Sequence, residues 1–219
     1  MGAQSRKPDS LKFRTVYAMV WLALAVPLPL HIWTGLTGSM RVRDALVKTE
    51  GRWGFRILLA ALALSPLARL LRWPVLMRYK RTVGLFGFAY AAAHGVFYWF
   101  YGRVWEFPLS VWQRRWYISL GIAALVLMVP LAITSTDGMM RRMGPSAWRR
   151  LHTLFYAVML IGAVHALWQN NIDYLEPSLY LTAVAVLLIV RVPPVMNGLI
   201  KLTAPRRRRP QTEVQPATP

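Results

Sequence analysis

Long apolar stretches recur six times along this 219-residue chain, and they constrain its fold more than any other feature. Each stretch approaches the roughly 20 apolar residues that a helix needs to cross a bilayer core of about 30 Å. A helix also satisfies its own backbone hydrogen bonds, which lipid cannot do. The sequence therefore predicts an all-α integral membrane protein, a bundle of six transmembrane helices. The predicted spans are Val16–Leu36, Phe55–Leu71, Val83–Tyr101, Trp116–Thr134, Leu151–Trp168 and Ser178–Val195.

The basic residues between the spans predict the orientation of the bundle. With the N-terminus in the cytoplasm, 19 of the 27 Lys and Arg residues fall in cytoplasmic segments. Because Lys and Arg resist translocation, this asymmetry predicts that both termini are cytoplasmic. The expected organisation is a cytoplasmic tail over residues 1–12, a six-helix membrane domain over 13–200 and a disordered basic tail over 201–219. We expect a multi-pass protein of the bacterial inner membrane, whose Arg206–Arg209 run meets anionic lipid headgroups.

Composition and missing motifs exclude several classes of function. The net charge of +19 lies in loops and not on one soluble face, so nucleic acid is not an expected partner. The chain has no cysteine, which excludes thiolate heme ligation, iron–sulfur clusters and disulfides. It has no Gly-rich phosphate-binding fingerprint for a nicotinamide. No acidic residue is expected within a span, which argues against a proton relay.

Within the predicted spans, four histidines are the side chains that could take part in chemistry. Apart from arginines at span ends, His31, His94, His152 and His165 are the ionisable residues placed there. A buried ionisable group in lipid is costly, so it is retained mainly where it faces the bundle interior and has a partner. Small residues surround His94, which allows a bulky ligand to approach but equally permits close helix packing.

The predicted depths of the histidines favour one pair. His94 lies about 16 Å from the cytoplasmic start of its helix and His165 about 21 Å from the start of its own, so both fall in the outer half of the membrane. Two facing imidazoles can hold heme iron from both axial positions, and such a centre suits electron transfer. His152 lies about 20 Å from His165, near the cytoplasmic face, where it could bind a second heme, contact quinone or cap the helix. We interpret His31 as a structural polar residue.

An ordered set of motifs runs along most of the chain, from about Gly51 to Arg191. The motifs are Gly51-Arg52, Ser65–Arg69, Arg78–Leu85, His94, Thr134-Ser135-Thr136, Trp148, Leu151-His152 and His165. In this order they resemble the MsrQ family, also known as YedZ, which has a ferric-reductase-like transmembrane domain.

This resemblance implies a six-helix inner-membrane subunit that binds heme b and also FMN. It implies electron delivery from the respiratory chain to the periplasmic molybdenum enzyme MsrP, which reduces methionine sulfoxide in oxidised periplasmic proteins. His94, His152 and His165 match the functional histidines of the family. Larger relatives carry a second histidine on the third helix, where this chain has Lys80 and Arg81.

Two further interpretations concern the flavin and the class of function. Arg78 and Arg81 could bind a flavin phosphate, although a positive-inside loop also explains them. We expect a non-catalytic redox subunit whose electron donor is quinol or a cytosolic flavin reductase. The alternative is a small membrane permease or assembly scaffold with structural histidines.

Overall fold

A computed structural model describes residues 10–101, 115–169 and 174–203, and within these ranges the chain forms helices and no strand. The predicted all-α class is therefore confirmed for the described residues. Of the predicted tails, residues 1–9 and 204–219 lie outside these ranges. The helices are α1 (Ser10–Ala25), α2 (Pro27–Thr37), α3 (Met40–Leu70), α4 (Leu76–Tyr101), α5 (Tyr117–Ile133), α6 (Asp137–Met143), α7 (Pro145–His152), α8 (Leu154–Gln169), α9 (Leu175–Val190) and α10 (Pro193–Leu202).

Between four and six segments of the described chain can cross a membrane. Two of these segments are pairs of helices that are long and apolar enough only when each pair is taken as one span. They are α5 with α6, bent by 87°, and α9 with α10, bent by 85°. The second bend falls where Pro193 and Pro194 lack amide donors and begin a new helix. The four segments that pass individually are Arg14–Thr37, Met40–Leu70, Leu76–Tyr101 and Pro145–Gln169.

Helix α3 differs most from its predicted span, because it begins at Met40 and not at Phe55. The added half carries six charged side chains, so hydropathy does not identify it. It is helical because one of its faces is buried against the bundle through Val47, Glu50 and Gly54. At 31 residues, α3 is about 46 Å long and reaches past a bilayer core.

Glu50 contradicts the expectation that no acidic residue lies within a span. Its side chain is fully buried on α3, and its Oε1 accepts a hydrogen bond from His31 Nδ1 at 2.5 Å. Its Oε2 has no partner among the described residues. A buried carboxylate is costly unless it is paired. The contact therefore gives His31 a structural role, which is to join α2 to α3.

Tyrosine hydroxyls hold the first helix, α1, against α4. Tyr17 and Thr82 share a hydrogen bond of 2.8 Å, and Tyr90 donates to the Leu24 carbonyl at 3.1 Å. The Leu24 carbonyl is close to the break at Val26, where α1 ends and Pro27 begins α2. The first span is thus interrupted where Pro27 lacks an amide donor, and Tyr90 binds beside this break.

The core lies where α3, α5, α8 and α9 meet. Helices α3 and α4 are joined by a short turn and approach closely, since a Cβ on Gly87 would lie 2.6 Å from Leu58 Cδ2. Small residues permit such backbone contact between membrane helices. The buried cluster is Leu58, Leu62, Met128, Val158, Met159, Ala163 and Val184. Two large cavities lie next to this cluster.

We predict that the His31→Leu substitution destabilises the protein by about 1–3 kcal/mol, because it leaves the buried Glu50 carboxylate without its hydrogen-bond donor. The double variant His31→Leu with Glu50→Leu is expected to recover most of this loss, since an apolar pair removes the unpaired charge. Thermal melts of the purified protein, followed by circular dichroism, measure both effects. A double variant no more stable than the single one would contradict the pairing.

Candidate functional site

His94 on α4 and His165 on α8 face each other in one cavity. Their ring centroids are 6.3 Å apart and their planes are inclined at 72°. The cavity has a volume of about 710 Å³, within the usual range of about 300–1,000 Å³ for ligand pockets. The structure thus brings together the two histidines that were paired by their predicted depths in the membrane. We name the cavity between them the histidine cavity.

The same local arrangement orients each of the two imidazoles. His94 Nδ1 lies 2.7 Å from the Val47 carbonyl, and His165 Nδ1 lies 2.7 Å from the Tyr117 carbonyl. A carbonyl only accepts, so Nδ1 carries the hydrogen and Nε2 carries the free lone pair. This leaves the metal-binding nitrogen of each ring uncommitted, as in histidine ligands held by a second partner.

A glycine one turn after each carbonyl makes room for the ring. A Cβ on Gly51 would lie 2.9 Å from His94 Nδ1, and a Cβ on Gly121 would lie 2.8 Å from His165 Cε1. Side chains therefore cannot occupy these positions without moving the imidazoles. Sequence reasoning does not identify either glycine as part of the site, because their role depends on which helix packs against each carbonyl.

The histidine cavity is apolar at one end and polar at the other. Leu58, Met128, Val158 and Met159 form its deep wall and are buried. At the opposite end it is lined by polar and charged side chains, namely Lys48, Arg52, Gln169, Glu176 and Tyr180. The cavity therefore suits a ligand with a large apolar body and a polar edge.

Charged side chains near this polar end form a small network. Arg56 donates to Glu176 Oε1 at 2.5 Å and to the Tyr180 hydroxyl at 2.8 Å, and Tyr180 in turn donates to Glu176. Arg52 lies 3.5 Å from the other carboxylate oxygen. These contacts tie α3 to α9 across the mouth of the cavity.

His152 lies apart from the pair, at the end of α7, and lines a second cavity of about 730 Å³. Its Nε2 is 3.2 Å from Thr134 Oγ1, and its ring stacks on Trp148 with centroids 3.9 Å apart. Trp148 Nε1 donates to the Thr134 carbonyl at 2.9 Å. Thr136 caps α6 by accepting from the Met139 amide. Thr134 and Trp148 thus position His152, whereas Thr136 caps the adjacent helix.

Five basic side chains line this second cavity, which we name the basic cavity, and none of its lining residues in the described ranges is acidic. Of the two predicted flavin ligands, Arg81 lines the cavity and Arg78 is not among its lining residues. Arg81 donates a hydrogen bond to Asp137, and this contact holds the pKa of the exposed Asp137 carboxyl below its usual range. The five are Arg69, Lys80, Arg81, Arg149 and Arg191.

The two cavities share a wall. Leu58 on α3 and Met128 on α5 line both of them. Among the described residues, no group of three or more His, Cys, Asp or Glu could hold a bare metal ion. His94 and His165 therefore have no third described ligand of these types close enough to share a metal ion with them.

Comparison with known proteins matches the region that contains these residues to a family model. The family model for the ferric reductase like transmembrane component matches residues 50–163, which include His94 and His152. His165 lies two residues beyond the match. No solved structure matches the chain.

Three relatives described as the protein-methionine-sulfoxide reductase heme-binding subunit MsrQ cover most of the chain. The protein of Caulobacter vibrioides is 38% identical over 86% of this chain and 92% of its own length. That of Herminiimonas arsenicoxydans is 36% identical over 84% and 88%, respectively. That of Xanthomonas campestris is 40% identical over 91% and 93%. The chain therefore belongs to the MsrQ family of multi-pass, ferric-reductase-like membrane proteins.

Proposed function

We propose that the chain is the electron-transfer subunit of a methionine sulfoxide reductase, with heme b held between His94 and His165. The observation that carries the proposal is the facing pair of imidazoles, each with Nδ1 bound to a carbonyl. The names of its relatives describe heme-binding subunits of such a reductase.

The residues of the histidine cavity fit this cofactor. Imidazole nitrogens bind metals at about 2 Å, so two imidazoles on opposite sides of one metal have centroids roughly 6 Å apart. The observed separation is 6.3 Å. A bare ion would need further protein ligands, and the described residues supply no third one of the usual types. Heme iron is already bound by its porphyrin ring, so the two imidazoles are sufficient as protein ligands.

When bound, the heme supplies one-electron chemistry, and the protein supplies its position and surroundings. His94 and His165 would be the residues that hold the heme, and with both bound its iron would have no open site for oxygen or substrate. The buried wall of Leu58, Met128 and Val158 excludes water from the inner end. These features suit passage of electrons and not substrate chemistry, which we assign to a separate catalytic subunit.

The direction of transfer follows from the distribution of basic residues. We infer that both termini are cytoplasmic and that the membrane is the bacterial inner membrane, because basic residues concentrate on that side. His94 and His165 then lie in the outer half, on the side of a periplasmic, molybdenum-dependent partner such as MsrP. His152 and the basic cavity lie on the side of the donor, which we take to be quinol or a cytosolic flavin reductase.

A second redox group on the donor side would complete the path. FMN is the group that family resemblance implies, and the basic cavity is the space nearest His152 that could hold it. His152 is a possible ligand of a metal there, but its Nε2 shares a hydrogen bond with Thr134. Electrons leaving this cavity would cross the layer formed by Leu58 and Met128.

We predict that reduced b-type absorption bands appear in the purified protein and are lost in His94→Ala and in His165→Ala. His152→Ala is the matched control, because His152 lies in the other cavity, and it is expected to retain the bands of the paired site. Absorption spectra and heme iron per polypeptide measure the result. A colourless wild-type protein made with ample heme would favour the permease or scaffold alternative.

We further predict that Gly121→Ala and Gly51→Ala weaken heme affinity by about 10- to 100-fold, because the added methyl displaces an imidazole from its carbonyl partner. Gly84→Ala is the control. Gly84 lies on the same helix as His94, and a Cβ there would meet nothing within 4 Å. Heme titration of apoprotein measures the affinities. Equal affinities in all three variants would show that the glycines do not position the rings.

A further inference from the structure

The polar end of the histidine cavity has an excess of positive charge. Lys48 and Arg52 line it, and Glu176 is the acidic residue among its described lining residues. Arg56, which is not part of the lining, donates to Glu176 and to the Tyr180 hydroxyl. Because Arg56 already balances the Glu176 carboxylate, the charges of Lys48 and Arg52 remain in excess at this end.

Neither of these two cations is committed to a close partner in the described structure. Lys48 forms no hydrogen bond or ion pair with a described residue. Arg52 Nε lies 3.5 Å from Glu176 Oε2, whereas Arg56 lies 2.5 Å from Oε1. A charge-assisted hydrogen bond is about 2.7–2.9 Å long, so the contact of Arg52 is looser than one. Both side chains therefore have donors available for an anionic group.

The two cations lie on the face of α3 that contacts His94. Lys48, Gly51, Arg52 and Phe55 all line the cavity, and their spacing of three and four residues places them on one side of the helix. A Cβ on Gly51 would lie 2.9 Å from His94 Nδ1. The cations are therefore within a single helical turn of the point where α3 meets the imidazole.

The opposite end of the cavity cannot accept a charged group at low cost. Its wall of Leu58, Met128, Val158 and Met159 is buried and apolar. A carboxylate placed there would lose its hydration and gain no hydrogen bond. The propionate carboxylates of a heme, two in number, would therefore be stabilised only at the polar end, where two uncommitted cations match them in number.

We propose that Lys48 and Arg52 bind the propionate carboxylates of the heme. Glu176, held by Arg56 and Tyr180, positions Arg52 at the mouth of the cavity. The inference rests on the proposed function, because it assigns residues to the cofactor of that site. In the proposed orientation this end faces the periplasm, so the two cations direct the carboxylate edge of the cofactor toward that side.

The test compares heme with heme dimethyl ester, whose two carboxylates are uncharged methyl esters. Full-length apoprotein is titrated with each compound and followed by its absorption spectrum. The variants are Lys48→Gln with Arg52→Gln, the charge-conserving Lys48→Arg with Arg52→Lys, and Arg41→Gln with Lys201→Gln. The last pair is the matched control, because it also removes one lysine and one arginine, both exposed and outside the cavity lining.

We expect wild type to bind heme about tenfold more tightly than the dimethyl ester, since two partly exposed cations stabilise the two carboxylates. The double glutamine variant is expected to lose this preference while its affinity for the ester stays unchanged. The charge-conserving variant and the matched control are expected to keep the preference.

A second measurement follows the midpoint potential of the bound heme by spectroelectrochemistry. Positive charge near the cofactor stabilises its reduced state. We therefore expect a lower potential in the double glutamine variant than in wild type, and no change in the matched control.

The outcomes distinguish failure of this inference from failure of the proposed function. Equal affinity of wild type for heme and its ester overturns the inference and leaves the proposed function in place, as does a double glutamine variant that keeps the wild-type preference. Parallel loss of both compounds in that variant also overturns it, because the cations would then support the fold and not the carboxylates. Wild-type apoprotein that binds neither compound overturns the proposed function and this inference with it.

Discussion

The hydrogen bonds from His94 and His165 to backbone carbonyls determine what the rest of the bundle can do. An imidazole has two nitrogens, and which one faces the cavity depends on the partner of the other. Val47 and Tyr117 supply carbonyls on two different helices, and Gly51 and Gly121 leave space for the rings beside them. The packing of α3 on α4 and of α5 on α8 is therefore part of the site and not only a scaffold for it.

The cost of burying polar groups explains where the other unusual residues lie. Glu50 is buried because His31 donates to it, and Tyr90 binds the Leu24 carbonyl beside the break between α1 and α2. In lipid, each such group needs a partner within the protein. The first two helices are exposed over most of their length, so these polar contacts supply much of the specificity with which they bind the bundle.

Much of this arrangement can be predicted from the sequence, and the remainder cannot for identifiable reasons. Apolar length locates the spans, and helical rise places His94 and His165 at a shared depth, since both depend on local geometry. The start of α3 cannot be predicted from hydropathy, because its charged residues mask the fact that one of its faces is buried. Glu50 lies on that face. The grouping of Lys80 with Arg191 cannot be foreseen because it depends on how distant helices pack.

The positive charge of the basic cavity affects the proposed electron path. An electron held there would be stabilised by Lys80, Arg69 and Arg191, and the effect is larger in a medium of low dielectric constant than in water. That stabilisation opposes transfer across Leu58 and Met128 toward the histidine pair. The cations of this cavity therefore affect how readily an electron would leave it along the proposed path.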